Sequence, residues 1–225
     1  MYGKINRYHT KESTVQLRRF LKFAVIIICV GLMLCVWPLG FARQTVQYYP
    51  ALGIAYEKTE QRIAHDAPLD QYFVAQSSRL DNLAFAVGFE GELPQTGALY
   101  VELSDADGHV LARNAIPFSE LTDCYFMAAD LSASLHKGKT YRIRFSTDSQ
   151  HDGLFWAYYT RDPGQSAPGS LYFYMGDNPI EGASLLRYDY GEILGKKSIL
   201  GIWAFLLTIG FTVLRLITED EKTNA

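Results

Sequence analysis

Leu83-Ala84-Phe85-Ala86-Val87-Gly88-Phe89-Glu90 decides the fold, together with Leu99-Tyr100-Val101-Glu102-Leu103 and Tyr141-Arg142-Ile143-Arg144-Phe145. In each, large apolar residues return at every second position. A period of two puts one set on a buried face and the other towards water, so Gln71 to Phe145 reads as successive β-strands. The expected strands lie near 71–76, 82–90, 97–104, 109–117, 124–131, 140–147, 154–160, 170–175 and 184–190. Turn residues separate them: Gly91 to Gly97 with Pro94, Asp105-Ala106-Asp107-Gly108, Lys137-Gly138-Lys139, and Asp162-Pro163-Gly164 through Pro168-Gly169. Phe118 to Leu121 reads as a single helical turn. The expected fold class is mainly β: an antiparallel β-sandwich, jelly-roll-like, flanked by two transmembrane α-helices.

The flanks carry the second signal. Phe23 to Ala42 contains no charged residue, and at 1.5 Å per residue about 20 positions reach the ~30 Å of a hydrocarbon core. Arg18, Arg19 and Lys22 precede this run, and Trp37 lies near its far end, where an interfacial aromatic belongs. A cleaved signal peptide also fits, with Pro38, Gly40 and Ala42 near the junction. The uncleaved helix is the expectation, because the run is long enough to span and the preceding tail is long for a signal. Ser198 to Leu214 is a second uncharged run, with Lys196, Lys197 and Arg215 placed to snorkel from its ends. The expected organisation is a basic cytoplasmic tail over 1–20, a span over 21–42, a β-domain over 43–195, a span over 196–217 and a tail over 218–225. Between 43 and 70, Tyr48-Tyr49-Pro50 suits a membrane surface, 54–63 reads as a strand or a short helix, and His65 to Pro68 as a loop.

Charge gives the topology. Residues 1–20 have a net charge of +4, whereas 43–195 hold 11 basic and 20 acidic side chains, a net of −9. The basic tail votes for both termini inside and the β-domain outside; Lys196 and Lys197 vote weakly against. The expected location is the cell membrane, in two passes, with the lipid bilayer as first partner. An acidic middle region excludes nucleic acid, which needs a basic footprint. Neither run holds an ionisable side chain apart from Cys29 and Cys35, which argues against a transporter or proton relay. With only Cys124 in the middle region, no disulfide forms there.

No GxSxG, HExxH or phosphate loop occurs, and the histidines are scattered, so the chain reads as non-enzymatic. Asp105 and Asp107 are the metal candidate, since carboxylates two apart can share Ca²⁺; a hairpin turn is the favoured reading of the same residues. No other cofactor is indicated. Trp156 and Tyr158 share one strand face, and Tyr172 and Tyr174 share another, opposite Phe173. Aromatic faces of this kind stack on sugar rings, but core packing with cross-strand aromatic pairs is the favoured reading of the same residues. Tyr172 and Tyr174 are the expected exposed pair. Arg142 and Arg144 project from one face, a geometry that can grip an anion, but a solvated face answering neighbouring acids is the favoured reading. In the two runs, Gly31 with Cys35 and Ala204 with Thr208 have the small-residue spacing of helix contacts.

Gln71-Tyr72-Phe73, Leu80 to Phe85, Gly97 to Leu103, Asp105 to Leu111, Pro117 to Leu121 and Lys137-Gly138-Lys139-Thr140-Tyr141 follow one another in an order that resembles the extracytoplasmic, galactose-binding-like jelly-roll modules of bacterial envelope membrane proteins. The resemblance covers about residues 70–160 and rests on turns and strand patterns. It implies a sandwich that binds glycan, or that contacts a membrane protein partner, in the assembly of envelope polysaccharide. It brings no catalytic residue. The alternatives are a structural or assembly subunit without a small ligand and an envelope hydrolase with an unrecognised acid pair.

Overall fold

A computed structural model describes residues 5–223, with side chains described over 16–219. The ends of the two expected tails, 1–4 and 224–225, lie outside the described residues. The chain divides into a helical unit, comprising residues up to Gln44 and from Ile193, and a β unit, Thr45–Glu192.

In the helical unit, α1 runs Ile5–Val36 and α2 runs Lys196–Thr223. Gln16–Val36 and Lys196–Glu219 are long and apolar enough to cross a membrane. The segment expected as a basic tail is helical from Ile5 onwards. No Gly or Pro interrupts residues 5–30, so a helix nucleated by the apolar run propagates backwards. The expected end at residue 42 is corrected: Pro38 disfavours helical geometry at Trp37, and α1 stops at Val36. At its far end α2 continues past residue 217, supported by the Arg215–Glu219 pair at 2.7 Å.

The helices meet antiparallel. Trp203 Nε1 donates to the Met33 carbonyl at 3.2 Å, the Trp37 and Trp203 rings meet edge-on at 6.0 Å, and Cys29 Sγ approaches the Leu206 carbonyl at 3.9 Å. The seam thus uses Cys29, Met33 and Trp37, four apart on one face, against Trp203, Leu206 and the buried Gly210. The small-residue expectation is corrected. Nothing lies within 4 Å of a Cβ added at Gly31, and Cys35, Ala204 and Thr208 are exposed.

The β unit is mainly antiparallel sheet. Its strands are β1 (Arg43–Tyr48), β2 (Glu57–Lys58), β3 (Leu69–Val74), β4 (Arg79–Phe85), β5 (Val87–Gly88), β6 (Ala98–Asp105), β7 (Val110–Pro117), β8 (Met127–Ala128), β9 (Ala133–Ser134), β10 (Thr140–Ser146), β11 (Trp156–Thr160), β12 (Ser170–Met175), β13 (Asn178–Ile180), β14 (Ala183–Ser184) and β15 (Leu186–Ile193). A six-stranded sheet has the order β13-β12-β3-β10-β6-β7, antiparallel throughout. A five-stranded sheet is ordered β1-β15-β4-β8 with β9 also on β4, and a four-stranded one β14-β11-β2 with β5 on β11.

One apolar core joins the three sheets. Phe73 of β3 stacks on Tyr188 of β15 at 4.8 Å, Phe85 of β4 meets Phe145 of β10 at 5.0 Å, and Tyr159 of β11 meets Phe173 of β12 at 5.6 Å. Full burial of each such ring contributes about 1.5–3 kcal/mol. The period-two reading holds in β6 and β10, where Leu99, Val101, Leu103, Ile143 and Phe145 are buried. It fails over 82–90 in two ways. The chain breaks at Ala86 and changes sheet, β4 pairing with β15 and β5 with β11. Ala84, Ala86 and Gly88, expected to face water, are buried. At Gly88 the reason is visible: a Cβ there would stand 2.0 Å from Trp156 Nε1, so the ring lies directly on the backbone. Gln71 is another inward-facing residue, 0% exposed, at a register shift where β3 pairs β12.

Candidate functional site

With Phe173 and Met175 turned into the core, β12 turns Tyr172 and Tyr174 to the outer face of the six-stranded sheet; of the expected exposed pair Tyr172 is exposed and Tyr174 half-buried. The same logic on β10 turns Arg142 and Arg144 outward opposite Tyr141, Ile143 and Phe145. Strand order then brings the two pairs together, because only β3 separates β12 from β10. β3 contributes Asp70 and Tyr72 to this face, and neither stands out in the sequence.

The pairing register orders these side chains in rows. Tyr174 lies opposite Asp70, Asp70 opposite Arg144, Arg144 opposite Glu102, and Glu102 opposite Arg113. These are four strand spacings, a strip of about 19 Å. In the next row Tyr72 lies opposite Arg142, and Arg142 opposite Ser104. The tyrosines form one cluster: Tyr72 to Tyr172 at 5.0 Å, Tyr72 to Tyr174 at 6.1 Å and Tyr172 to Tyr174 at 5.7 Å between ring centres. Tyr172 is 51% exposed.

Beside the cluster, Arg144 grips Asp70 with both tines, Nε to Oδ1 at 2.7 Å and the terminal amino group to Oδ2 at 2.6 Å. That hydrogen bond raises the Arg144 pKa against the opposing effect of partial burial. Arg142 Nε donates to Ser104 Oγ at 3.1 Å and approaches the same Asp70 carboxylate at 3.9 Å. The strip continues into an open groove of about 310 Å³ whose lining includes Tyr100, Glu102, Arg113, Arg144 and Asp148. Arg113 lies over the Tyr100 ring at 5.4 Å.

Trp156 and Tyr158 are not part of this face. They lie on β11 in the four-stranded sheet. The Trp156 ring rests on Gly88, with Lys58 Nζ at 4.9 Å and Arg62 Cζ at 5.2 Å from its centre. These cations occupy the π surface that a sugar ring would need. Tyr158 packs edge-on against Tyr56 at 5.4 Å, and burial, with neighbouring Cys124, raises its pKa.

Asp105, Asp107 and His109 place potential ligand atoms within 4.8 Å of one another. The Asp105 carboxylate is already engaged: Oδ1 accepts the Asp107 and His109 backbone N–H groups at 3.0 and 2.8 Å, and Oδ2 meets His109 Nδ1 at 3.1 Å. Two carboxylates and an imidazole fall short of the six to eight oxygens that suit Ca²⁺. The bonds observed close the β6–β7 hairpin.

No family model and no curated protein matches the chain. Among solved structures, similarity extends to an arabinose-bound α-L-arabinofuranosidase, at TM-score 0.25 and 15% identity, covering 65% of this chain and 19% of that one. It also extends to the infectious bursal disease virus VP2 subviral particle, at TM-score 0.28 and 11% identity, covering 80% of this chain and 54% of that one. The chain thus spans about a fifth and about a half of these two neighbours, and scores this low carry no functional weight. The resemblance to galactose-binding-like modules finds support only in the mainly antiparallel β architecture.

Proposed function

We propose that the chain is a two-pass membrane protein of the cell envelope, with both termini cytoplasmic. Its β unit is a jelly-roll-like sandwich outside the membrane that binds saccharide on the outer face of the six-stranded sheet. The observation that carries this reading is the cluster of Tyr72, Tyr172 and Tyr174 beside Arg142 and Arg144. Aromatic rings fixed on rigid strands offer apolar faces to sugar C–H groups, and the adjacent guanidinium and carboxylate groups bond hydroxyls. The role is binding, without catalysis, in an accessory module.

Membrane anchorage is supported by the outward-facing apolar side chains of the helix pair, Phe23, Ile27, Leu32, Phe205, Leu207 and Phe211 among them, all exposed. Water does not tolerate two such helices side by side, whereas lipid does. Topology rests on the basic amino-terminal segment.

Two experiments test the proposal. The full chain in nanodiscs should bind members of a glycan array, and Tyr172→Ala should abolish the signal. A reporter fused after Ala225 should be active in the cytoplasm alone; activity outside would overturn the topology.

A further inference from the structure

One carboxylate on the outer face serves two arginines. Asp70 Oδ1 and Oδ2 both accept from Arg144, and Arg142 stands 3.9 Å from the same group. The Asp70 side chain is 9% exposed and that of Arg142 20% exposed, so neither is freely solvated. In the row beyond, Glu102 lies between Arg144 and Arg113 in register. On these strands Arg113, Arg142 and Arg144 therefore face Asp70 and Glu102, a local surplus of one positive charge, while Asp148 at the groove is engaged by His151 at 2.6 Å. The surplus sits in a unit that is otherwise acidic, with 10 basic and 20 acidic side chains over Thr45–Glu192.

The surplus is best placed at Arg142. Arg144 spends its fork on Asp70. Arg142 engages Ser104 through Nε, which leaves its two terminal amino groups, a planar pair of donors matched to a carboxylate. Its register neighbour on β3 is Tyr72, whose ring packs tilted by 36° against Tyr172 at 5.0 Å. An apolar ring face and a guanidinium that engages Asp70 and Ser104 through Nε alone are thus neighbours on one rigid surface.

We infer, building on the saccharide reading, that the ligand is an acidic saccharide. A sugar ring lies on the Tyr72–Tyr172–Tyr174 cluster, and a carboxylate on that ring or the next is gripped by Arg142. The unit's charge limits the ligand further. An acidic surround repels a densely charged polyanion over a screening length of about 8 Å, while one carboxylate reaches the local surplus. The class is therefore a uronic-acid saccharide with isolated carboxylates.

The test is a glycan array that prints each neutral oligosaccharide beside its uronic-acid counterpart and includes densely sulfated heparin. The probe is the labelled full chain in nanodiscs. The expected result is binding to uronic-acid members about tenfold above their neutral counterparts, as a charge-assisted bond gives, and none to heparin. Arg142→Gln should lower each uronic-acid signal to that of its neutral counterpart and so erase the difference within each pair, and Arg142→Lys should restore part of it. Equal signals within pairs would overturn the acidic preference and leave saccharide binding intact. Silence across the array would remove both readings. Strong heparin binding would overturn the isolated-carboxylate class, and a preference that survives Arg142→Gln would overturn the role of Arg142. Thermal unfolding of each variant, compared with the wild-type chain, shows that it is folded.

Discussion

Gln71 Oε1 accepts two hydrogen bonds from Ser184, one from its backbone N–H at 2.8 Å and one from its hydroxyl at 2.9 Å. Gln71 belongs to β3 and Ser184 to β14, so the bonds join the six-stranded sheet to the four-stranded one. On its other side Gln71 Nε2 donates towards the Tyr72, Leu171 and Tyr172 carbonyls at 2.7, 3.3 and 3.2 Å. A register shift between Ser170 and Phe173 interrupts the ladder there, and the amide answers the backbone groups the irregularity leaves over.

Gln71→Leu should therefore be costly despite its similar size. It strips a partner from a buried N–H, a buried hydroxyl and several carbonyls. At about 1–3 kcal/mol for each of the two orphaned Ser184 donors, a loss of about 2–6 kcal/mol is expected. Thermal unfolding of the full chain measures it. Because Gln71 bonds the backbone of Tyr72 and Tyr172, it is also a positioning residue: Gln71→Glu or Gln71→Asn should weaken glycan binding in any fraction that remains folded. A variant with unchanged stability would refute the bridging role.

Tyr172 and Phe173 are neighbours with opposite expected phenotypes. Phe173 is 0% exposed, and Phe173→Ala should cost about 3–5 kcal/mol through the cavity it leaves. Tyr172→Ala should cost under about 1 kcal/mol, since only the contacts with Tyr72 and Tyr174 are lost. The binding assay should reverse the order, with Tyr172→Ala silent at full stability. A Tyr172→Ala protein that binds as well as wild type would move the site elsewhere.

The alternation that exposes Tyr172 was legible in the sequence, as was the outward pair Arg142 and Arg144. Their juxtaposition was not. It depends on β3 lying between β10 and β12, a long-range pairing that no local pattern encodes. Asp70 and Tyr72 were missed for this reason: a lone acid before a tyrosine becomes notable only when register sets it beside two arginines. Trp156 stood out by composition, yet its ring is spent on Gly88 and two cations. The two-residue strands β2, β5, β8, β9 and β14 are shorter than any period that would reveal them. The exchange of sheets at Ala86 sits inside a run of unbroken apolar alternation.

Asp105 gives a pH-dependent prediction. Desolvation pulls its pKa upward, but the N–H donors of His109 and Asp107 and the His109 ring outweigh it, and the net shift is downward. With the folded value below the unfolded one, about 3.9, the stabilisation of the hairpin is fully present above that pH. It is lost as pH falls through the folded value. The Asp107 and His109 amides should be protected from hydrogen exchange near pH 6 and lose protection well below pH 4. Asp105→Asn keeps an acceptor and should flatten this dependence. Protection that persists unchanged at pH 2 in the wild type would contradict it.

Gly210 makes the sharpest prediction for the helix pair. A Cβ there would stand 2.8 Å from Cys29 Sγ, so the thiol or the helix carrying it must move. Gly210→Leu should force the helices apart at a cost on the order of 1–3 kcal/mol, loosening the Trp203–Met33 bond and the Trp37–Trp203 contact. Brominated lipid in the nanodisc should then quench tryptophan emission more strongly. Gly31→Leu and Gly201→Leu are the controls, since nothing lies within 4 Å of either position, and both should leave quenching unchanged. The contrast separates spacing from contact: Gly31 and Cys35 have the interval of a helix interface but point away from the partner, while Gly210, which has no small residue four positions away on its own helix, makes the close approach. If Gly31→Leu disrupts the pair and Gly210→Leu does not, the seam assigned here is wrong.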